Sequence, residues 1–165
     1  MANTYTLIEA KTLNSTVSSV TFTSIPQTYT DLCILMSARS TTGSPDSSIL
    51  EINGSTANLS SRYMFAVDSS ITRGSSNEIV LVGMSQSGTT ANTFGNVQIY
   101  ITNYTSSQYK SMSIDSVSEN NASNEAFRTL ASGLWSNTSA ISSIKLAASN
   151  FSSGSTLYLY GIKNS

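Results

Sequence analysis

With 165 residues, a net charge of −1 and only 10% charged residues, the chain lacks the basic stripe that nucleic-acid binding requires. Ser and Thr fill about a third of it, and charged residues fall well below the roughly 25% of an ordinary globular domain. Ample Tyr, Ile, Val and Leu exclude a disordered chain, and the length suits one domain, 1–165, able to bury roughly two-thirds of its unfolded surface.

Taken in order, the chain alternates apolar and polar residues in short runs, the pattern of half-buried strands. A first strand is predicted over 4–12, where Tyr5, Leu7 and Glu9 alternate with Thr6, Ile8 and Ala10. A second runs over 17–23 and closes at Ile25-Pro26-Gln27, because proline cannot donate to a ladder. Residues 28–38 form the most apolar run and read as a central strand covered on both faces. After a loop over 39–48 that includes Gly43 and Pro45, Ile49, Leu50 and Ile52 make a short strand ending at the turn dipeptide Asn53-Gly54. The stretch 55–77 is least regular. Leu59, Tyr63, Met64 and Val67 fit about one helical turn or a long structured loop, with Arg62, Asp68 and Arg73 in it. A strand follows at 78–82.

Residues 96–117 read as one long hairpin around Thr105-Ser106-Ser107-Gln108. The expected register sets Tyr104 opposite Tyr109, Asn103 opposite Lys110, Ile101 opposite Met112, Ile99 opposite Ile114 and Val97 opposite Ser116. Side chains alternate across a strand, which puts Val97, Ile99, Ile101, Met112 and Ile114 on the core face. Tyr100, Tyr104 and Tyr109 fall on the other, with Gln98, Thr102, Ser111, Ser113 and Asp115, and are the candidate contact surface. Further strands are expected over 127–135, with Leu130, Leu134 and Trp135 available to the core, then over 141–148 and 155–162. In the last, Leu157 and Leu159 face one way and Tyr158 and Tyr160 the other. Eight to ten strands with turn signals and little helical periodicity define an all-β antiparallel sandwich or barrel.

The absence of histidine removes a Ser-His-Asp triad, a Cys-His pair and an imidazole metal site. The nine acids, Glu9, Asp31, Asp46, Glu51, Asp68, Glu78, Asp115, Glu119 and Glu125, follow no calcium-loop pattern. A chance carboxylate pair of glycosidase type is the one catalytic arrangement they leave, with Glu51 and Glu78 the acids to replace in testing it. No glycine-rich phosphate loop occurs. No catalytic, metal or cofactor site is therefore expected, and the chain is read as not an enzyme. Seven N-x-S/T matches, at Asn14, Asn53, Asn58, Asn103, Asn121, Asn137 and Asn150, follow from the Ser and Thr content alone. Cys33 stands alone in an apolar run and reads as a buried thiol. No secretion signal or membrane-length apolar run is visible, so the chain is expected to be made in a cytosol and to stay soluble.

Several segments, in order along nearly the whole chain, carry a resemblance. They are Tyr5-Thr6-Leu7-Ile8, Ile52-Asn53-Gly54-Ser55, Ser61-Arg62-Tyr63, Ile99-Tyr100-Ile101-Thr102-Asn103-Tyr104, Tyr109-Lys110-Ser111, Ser136-Asn137-Thr138-Ser139-Ala140-Ile141, Phe151-Ser152-Ser153-Gly154-Ser155 and Leu157-Tyr158-Leu159-Tyr160-Gly161-Ile162. Together they resemble a family of small virion proteins of tailed bacteriophages, especially those of cyanobacteria and marine hosts. The resemblance implies a jelly-roll β-sandwich acting as a capsid cement (decoration) protein. It would be a homotrimer on the head exterior, bound to the major capsid protein, within a virion assembled in the host bacterial cytoplasm, and with no nucleic-acid or membrane partner. Similar sandwiches in tail-fibre and receptor-binding proteins make a carbohydrate-recognition module the alternative. Because the chain starts directly in the sandwich, with no tail-attachment region before it, a free-standing decoration protein is favoured over a fibre tip.

Overall fold

A computed structural model of the chain describes residues 4–42, 48–67, 69–81, 83–119, 121 and 126–163. Of the residues singled out above, Gly43, Pro45, Asp46, Asp68, Val82 and Glu125 lie outside them. The described residues form twelve strands: β1 (Thr4–Thr12), β2 (Val17–Phe22), β3 (Asp31–Ala38), β4 (Ser48–Ile52), β5 (Leu59–Val67), β6 (Ser70–Ser76), β7 (Val80–Leu81), β8 (Gly95–Ile101), β9 (Lys110–Ser118), β10 (Phe127–Trp135), β11 (Ile144–Phe151) and β12 (Thr156–Lys163).

They make two antiparallel sheets, one of eight strands in the order β1-β12-β3-β8-β9-β10-β5-β6 and one of four in the order β2-β11-β4-β7. Stripped of β5, β6, β9 and β10, the sheets read β1-β12-β3-β8 and β2-β11-β4-β7, the strand order of a jelly roll, in which each sheet is woven from both halves of the chain. The four extra strands are two hairpins, β5–β6 inserted between β4 and β7 and β9–β10 inserted between β8 and β11. Both extend the same sheet beyond β8.

The core lies between the sheets. The smaller sheet gives Val20, Phe22, Leu50, Ile52, Leu81, Ile144 and Leu146. The larger gives Leu32, Ile34, Met36, Val97, Ile99, Ile101, Met112, Ile114, Leu157 and Leu159. The alternation in β9, β10 and β12 carries over directly, buried residue after exposed or half-buried residue. The 8–9 register matches the predicted one at Val97 with Ser116, Ile99 with Ile114 and Ile101 with Met112.

Three expectations are corrected. Residues 59–67 and 70–76 are neither a helical turn nor a loop but the paired strands β5 and β6, in register from Ser61 with Ser76 to Val67 with Ser70. Their period of two is blurred because small Ser61 and Gly74 point inward while Met64 and Ile71 point outward. A Cβ on Gly74 would stand 2.6 Å from the Tyr63 hydroxyl oxygen, so a larger residue there would have to displace the Tyr63 ring. Of Leu130, Leu134 and Trp135 in β10, the two leucines turn outward and Trp135 enters the core, with Phe127 and Ala131 of the same strand. The tip of the 8–9 hairpin departs from the predicted pairing, as described below.

Asparagine does much of the turning. Among the described residues, five of the six non-glycine residues with positive φ are Asn53, Asn58, Asn92, Asn103 and Asn121, a conformation that asparagine tolerates better than most side chains. Four of those five are also N-x-S/T matches, so backbone geometry accounts for asparagine at these positions. Asn53 and Gly54, both with positive φ, form the two-residue turn that joins Ile52 to Ser55. The Asn53 side chain also accepts the Ser142 and Ser143 amides at 2.9 and 3.1 Å.

Where β8 begins, the backbone at Gly95 runs close against that of Gly83. A Cβ on Gly95 would lie 1.8 Å from the carbonyl oxygen of Gly83, whereas one on Gly88 would meet nothing within 4 Å. Gly95→Ala should therefore lower the unfolding free energy by about 3 kcal/mol or more, and Gly88→Ala should stay within about 0.5 kcal/mol of the parent. Urea titration of both variants checks this.

Candidate contact surface

The three tyrosines proposed as one surface are separated by the structure. The β8–β9 ladder ends at the Ile101–Met112 pair, so the facing pairs Asn103–Lys110 and Tyr104–Tyr109 do not form. Asn103 takes a positive φ and turns the chain, which carries Tyr104 off the outer face and into the core, where it is fully buried. Its hydroxyl donates to the Pro26 carbonyl, and its own carbonyl accepts the Ile141 amide at 3.0 Å. Burial pushes its hydroxyl pKa up. Tyr104 is a plug that closes the end of the sandwich and is no contact residue.

Beside it, Lys110 is fully buried. Its ammonium donates to the carbonyls of Ser106, Asn137 and Ser139 at 2.7, 3.2 and 2.6 Å and sits 5.4 Å from the Trp135 ring centre. Burial lowers its pKa. Three carbonyls and an aromatic face replace the water that a buried charge must otherwise lose. The cost of burying Lys110 is thus offset by tying the hairpin tip to residues 137–139.

Tyr100 stays on the outer face, half-buried, and donates to Asp31 Oδ2 at 2.7 Å. Asp31 Oδ1 accepts the Asn103 amide at 2.7 Å, so one carboxyl group fastens both the strand and the turn after it. Burial, then the bond to Asp31 and its charge, push the Tyr100 pKa up to about 12. Tyr109 is the one freely presented member, 60% exposed, beside a shallow polar hollow lined by Thr102, Asn103, Ser106, Ser107 and Gln108.

The larger aromatic surface lies where single strands could not reveal it. The pairings β8–β3, β3–β12 and β12–β1 place Tyr100 opposite Cys33, Cys33 opposite Tyr160, and Tyr160 opposite Leu7. Tyr158 and Tyr160, with ring centres 6.5 Å apart, and Tyr5, edge-on to Tyr160 at 6.0 Å, continue the stripe. Asn96, Gln98 and Ser37 border a concavity beside Tyr158 and Tyr160. The sequence had already sorted Tyr158 and Tyr160 onto one side of their strand. What was missing was which strands stand between them and Tyr100.

The far end of the same outer face is different. Met64, Ala66, Ile71, Val117 and Leu130, with Asp115 and Arg128, line a shallow depression across β9, β10, β5 and β6.

Cys33 is buried on the outer side of β3, and its thiol pKa is pushed up to about 11 by burial. Several carboxylates have defined partners: Glu51 pairs with Lys145 at 2.8 Å, Glu9 with Lys11 at 2.6 Å, and Glu119 accepts the Asn121 amide at 2.7 Å. Among the described residues no three of His, Cys, Asp and Glu are grouped to hold a metal ion, and no helix is long and apolar enough to cross a membrane.

Compared with models of protein families, with curated proteins and with solved structures, the chain finds no match.

The Tyr100–Asp31 bond makes a signed prediction. A hydroxyl whose folded pKa lies near 12 and whose unfolded pKa lies near 10 contributes stability in full below pH 10, and loses it as pH rises from 10 to 12. Tyr100→Phe should cost about 1–2 kcal/mol at neutral pH and flatten the decline in stability between pH 10 and 12. Tyr104→Ala should cost about 3–5 kcal/mol, and Tyr109→Ala less than about 0.5 kcal/mol. Denaturant midpoints across pH read all three.

Proposed function

We propose that the protein is a structural component of a bacteriophage particle, a cement protein that binds the outer surface of the head and stabilises the shell without chemistry of its own. The observation that carries this reading is the open outer face of the eight-stranded sheet. Among the described residues, seven of the eight large apolar side chains that stand exposed, Tyr5, Leu7, Met64, Ile71, Val117, Leu130 and Leu134, lie on that one face. Exposed apolar residues gathered on one side mark contact surfaces, and jelly rolls recur in viral capsid domains. The sequence resemblance to small phage virion proteins points the same way, towards a major capsid protein as partner and a homotrimer as the bound form.

Such a protein works by area and repetition. A standard interface buries about 1,600 Å², and many copies on one lattice turn a modest affinity into a stable coat. A hydroxyl-rich surface of low charge packs against copies of itself without a repulsive field. The locked turns suit this role, because a preorganised surface loses less conformational freedom on binding.

A second reading has its own observation. The concavity beside Tyr158 and Tyr160, bordered by Asn96, Gln98 and Ser37, combines aromatic faces with amides, the pairing that holds a sugar ring by stacking and hydrogen bonds. It fits a receptor-binding module of a tail.

Adding the purified protein to undecorated heads should raise their melting temperature, with saturation at a fixed ratio of copies to capsomers. Absence of head binding, together with glycan binding that Tyr158→Ala and Tyr160→Ala abolish, would replace the cement reading with the tail module.

A further inference from the structure

The exposed face of β9, β10, β5 and β6 is unlike the rest of this surface. It carries three of the chain's four arginines, Arg62, Arg73 and Arg128, together with Met64, Ile71, Val117 and Leu130, which are 42–72% exposed. Arginine and methionine are enriched at interfaces and lysine is depleted, and no lysine points outward here.

The registers arrange these residues in rows. One row across the four strands reads Asp115, Leu130, Met64, Arg73. The next reads Val117, Arg128, Ala66, Ile71, and the row on the other side reads Ser113, Ser132, Arg62, Ser75. The first row has opposite charges at its two ends and apolar side chains between.

We propose that this face is the interface of a two-fold symmetric dimer of this chain, with the axis parallel to the strands and midway between β10 and β5. That operation lays each row over its own reverse. Asp115 meets the second copy's Arg73 and the reverse, Leu130 meets Met64, and Val117 meets Ile71, each contact made twice. Arg62 lies over Ser132, whose hydroxyl can accept from the guanidinium, and Arg128 lies over Ala66. The alternative axis, perpendicular to the strands and between the first two rows, would set Asp115 on Val117 and Arg73 on Ile71, burying charges against apolar side chains at a cost. Only the first arrangement pairs unlike charges and apolar side chains together.

The size suffices. Four strands about 4.8 Å apart and about eight residues long cover about 500 Å² per copy and about 1,000 Å² in total, the lower bound for a specific interface. Two sheets meeting in this way form the aligned packing, about 10 Å apart and twisted by about 30°, that sandwiches use internally.

Within one copy Arg73 and Asp115 are three strand spacings apart, about 14 Å, too far to form an ion pair. Charge exchange between them can therefore be felt only across two copies, which gives a test. By sedimentation or light scattering, the parent should form species with an even number of chains. Arg73→Asp and Asp115→Arg should each raise the dissociation constant at least about tenfold, and the double exchange Arg73→Asp with Asp115→Arg should restore it. Thermal melts confirm that the exposed variants are folded. A parent that is monomeric or purely trimeric, or single variants that associate as well as the parent, would overturn the proposal, as would a double exchange that fails to rescue. The dimer takes the β9–β10–β5–β6 end of the outer face and leaves the β1–β12 end, with Tyr5 and Leu7, for the head. Head binding by a parent that never forms even-numbered species would overturn the dimer alone, and even-numbered species that do not bind heads would overturn the cement reading alone.

Discussion

The whole extension of this molecule hangs on one backbone ladder, the antiparallel pairing of β8 with β9. Through it β9, β10, β5 and β6 join the jelly-roll sheet as one continuous surface. With β8 held by its ladder to β3, a slip of β9 by one residue would send Met112 and Ile114 to solvent and bring Asp115 inward. Two devices hold the register at its open end. Asp31 fastens Tyr100 and the Asn103 amide, and buried Lys110 gathers three carbonyls from both sides of the hairpin tip. The chain places two of its few ionisable groups inside the fold here, where an unpaired charge would be costly.

Much of this was legible from residues alone, for a physical reason. Where a strand has one face buried and one wet, burial imposes a period of two. So β1, β2, β9, β12 and the 8–9 register were readable to within a few residues. Legibility failed where that reason failed. In β5 and β6 the inner face carries Ser61, Thr72 and Gly74 and the outer face Met64 and Ile71, so polarity no longer reports direction. Leu130 and Leu134 misled in the same way. Apolar identity suggested the core, although their parity, opposite to Phe127 and Trp135, required solvent. Tyr104 was lost at a turn, since extrapolating alternation past Ile101 ignores the left-handed Asn103.

Tyr104 apart, these failures share a location. Met64, Ile71, Leu130 and Leu134, whose apolar character disagrees with their exposure, lie on the open apolar and arginine-bearing face. A local conflict between pattern and fold is the signature expected of a surface shaped for a partner rather than for folding. The tyrosine stripe at the other end was only half visible, because β1, β3, β8 and β12 are far apart in the chain and meet only through jelly-roll topology. Both surfaces belong to one sheet, and the four-stranded sheet leaves that side uncovered. The account of function rests on this asymmetry: one side of the sandwich builds the core, and the other is available to neighbours.

The most direct test is an electron cryomicroscopy reconstruction of particles carrying this protein. The account predicts density for the sandwich on the outside of the head, with the outer face of the eight-stranded sheet turned against neighbouring chains. Density at a tail tip, or on the head with that face turned wholly to solvent, would contradict it.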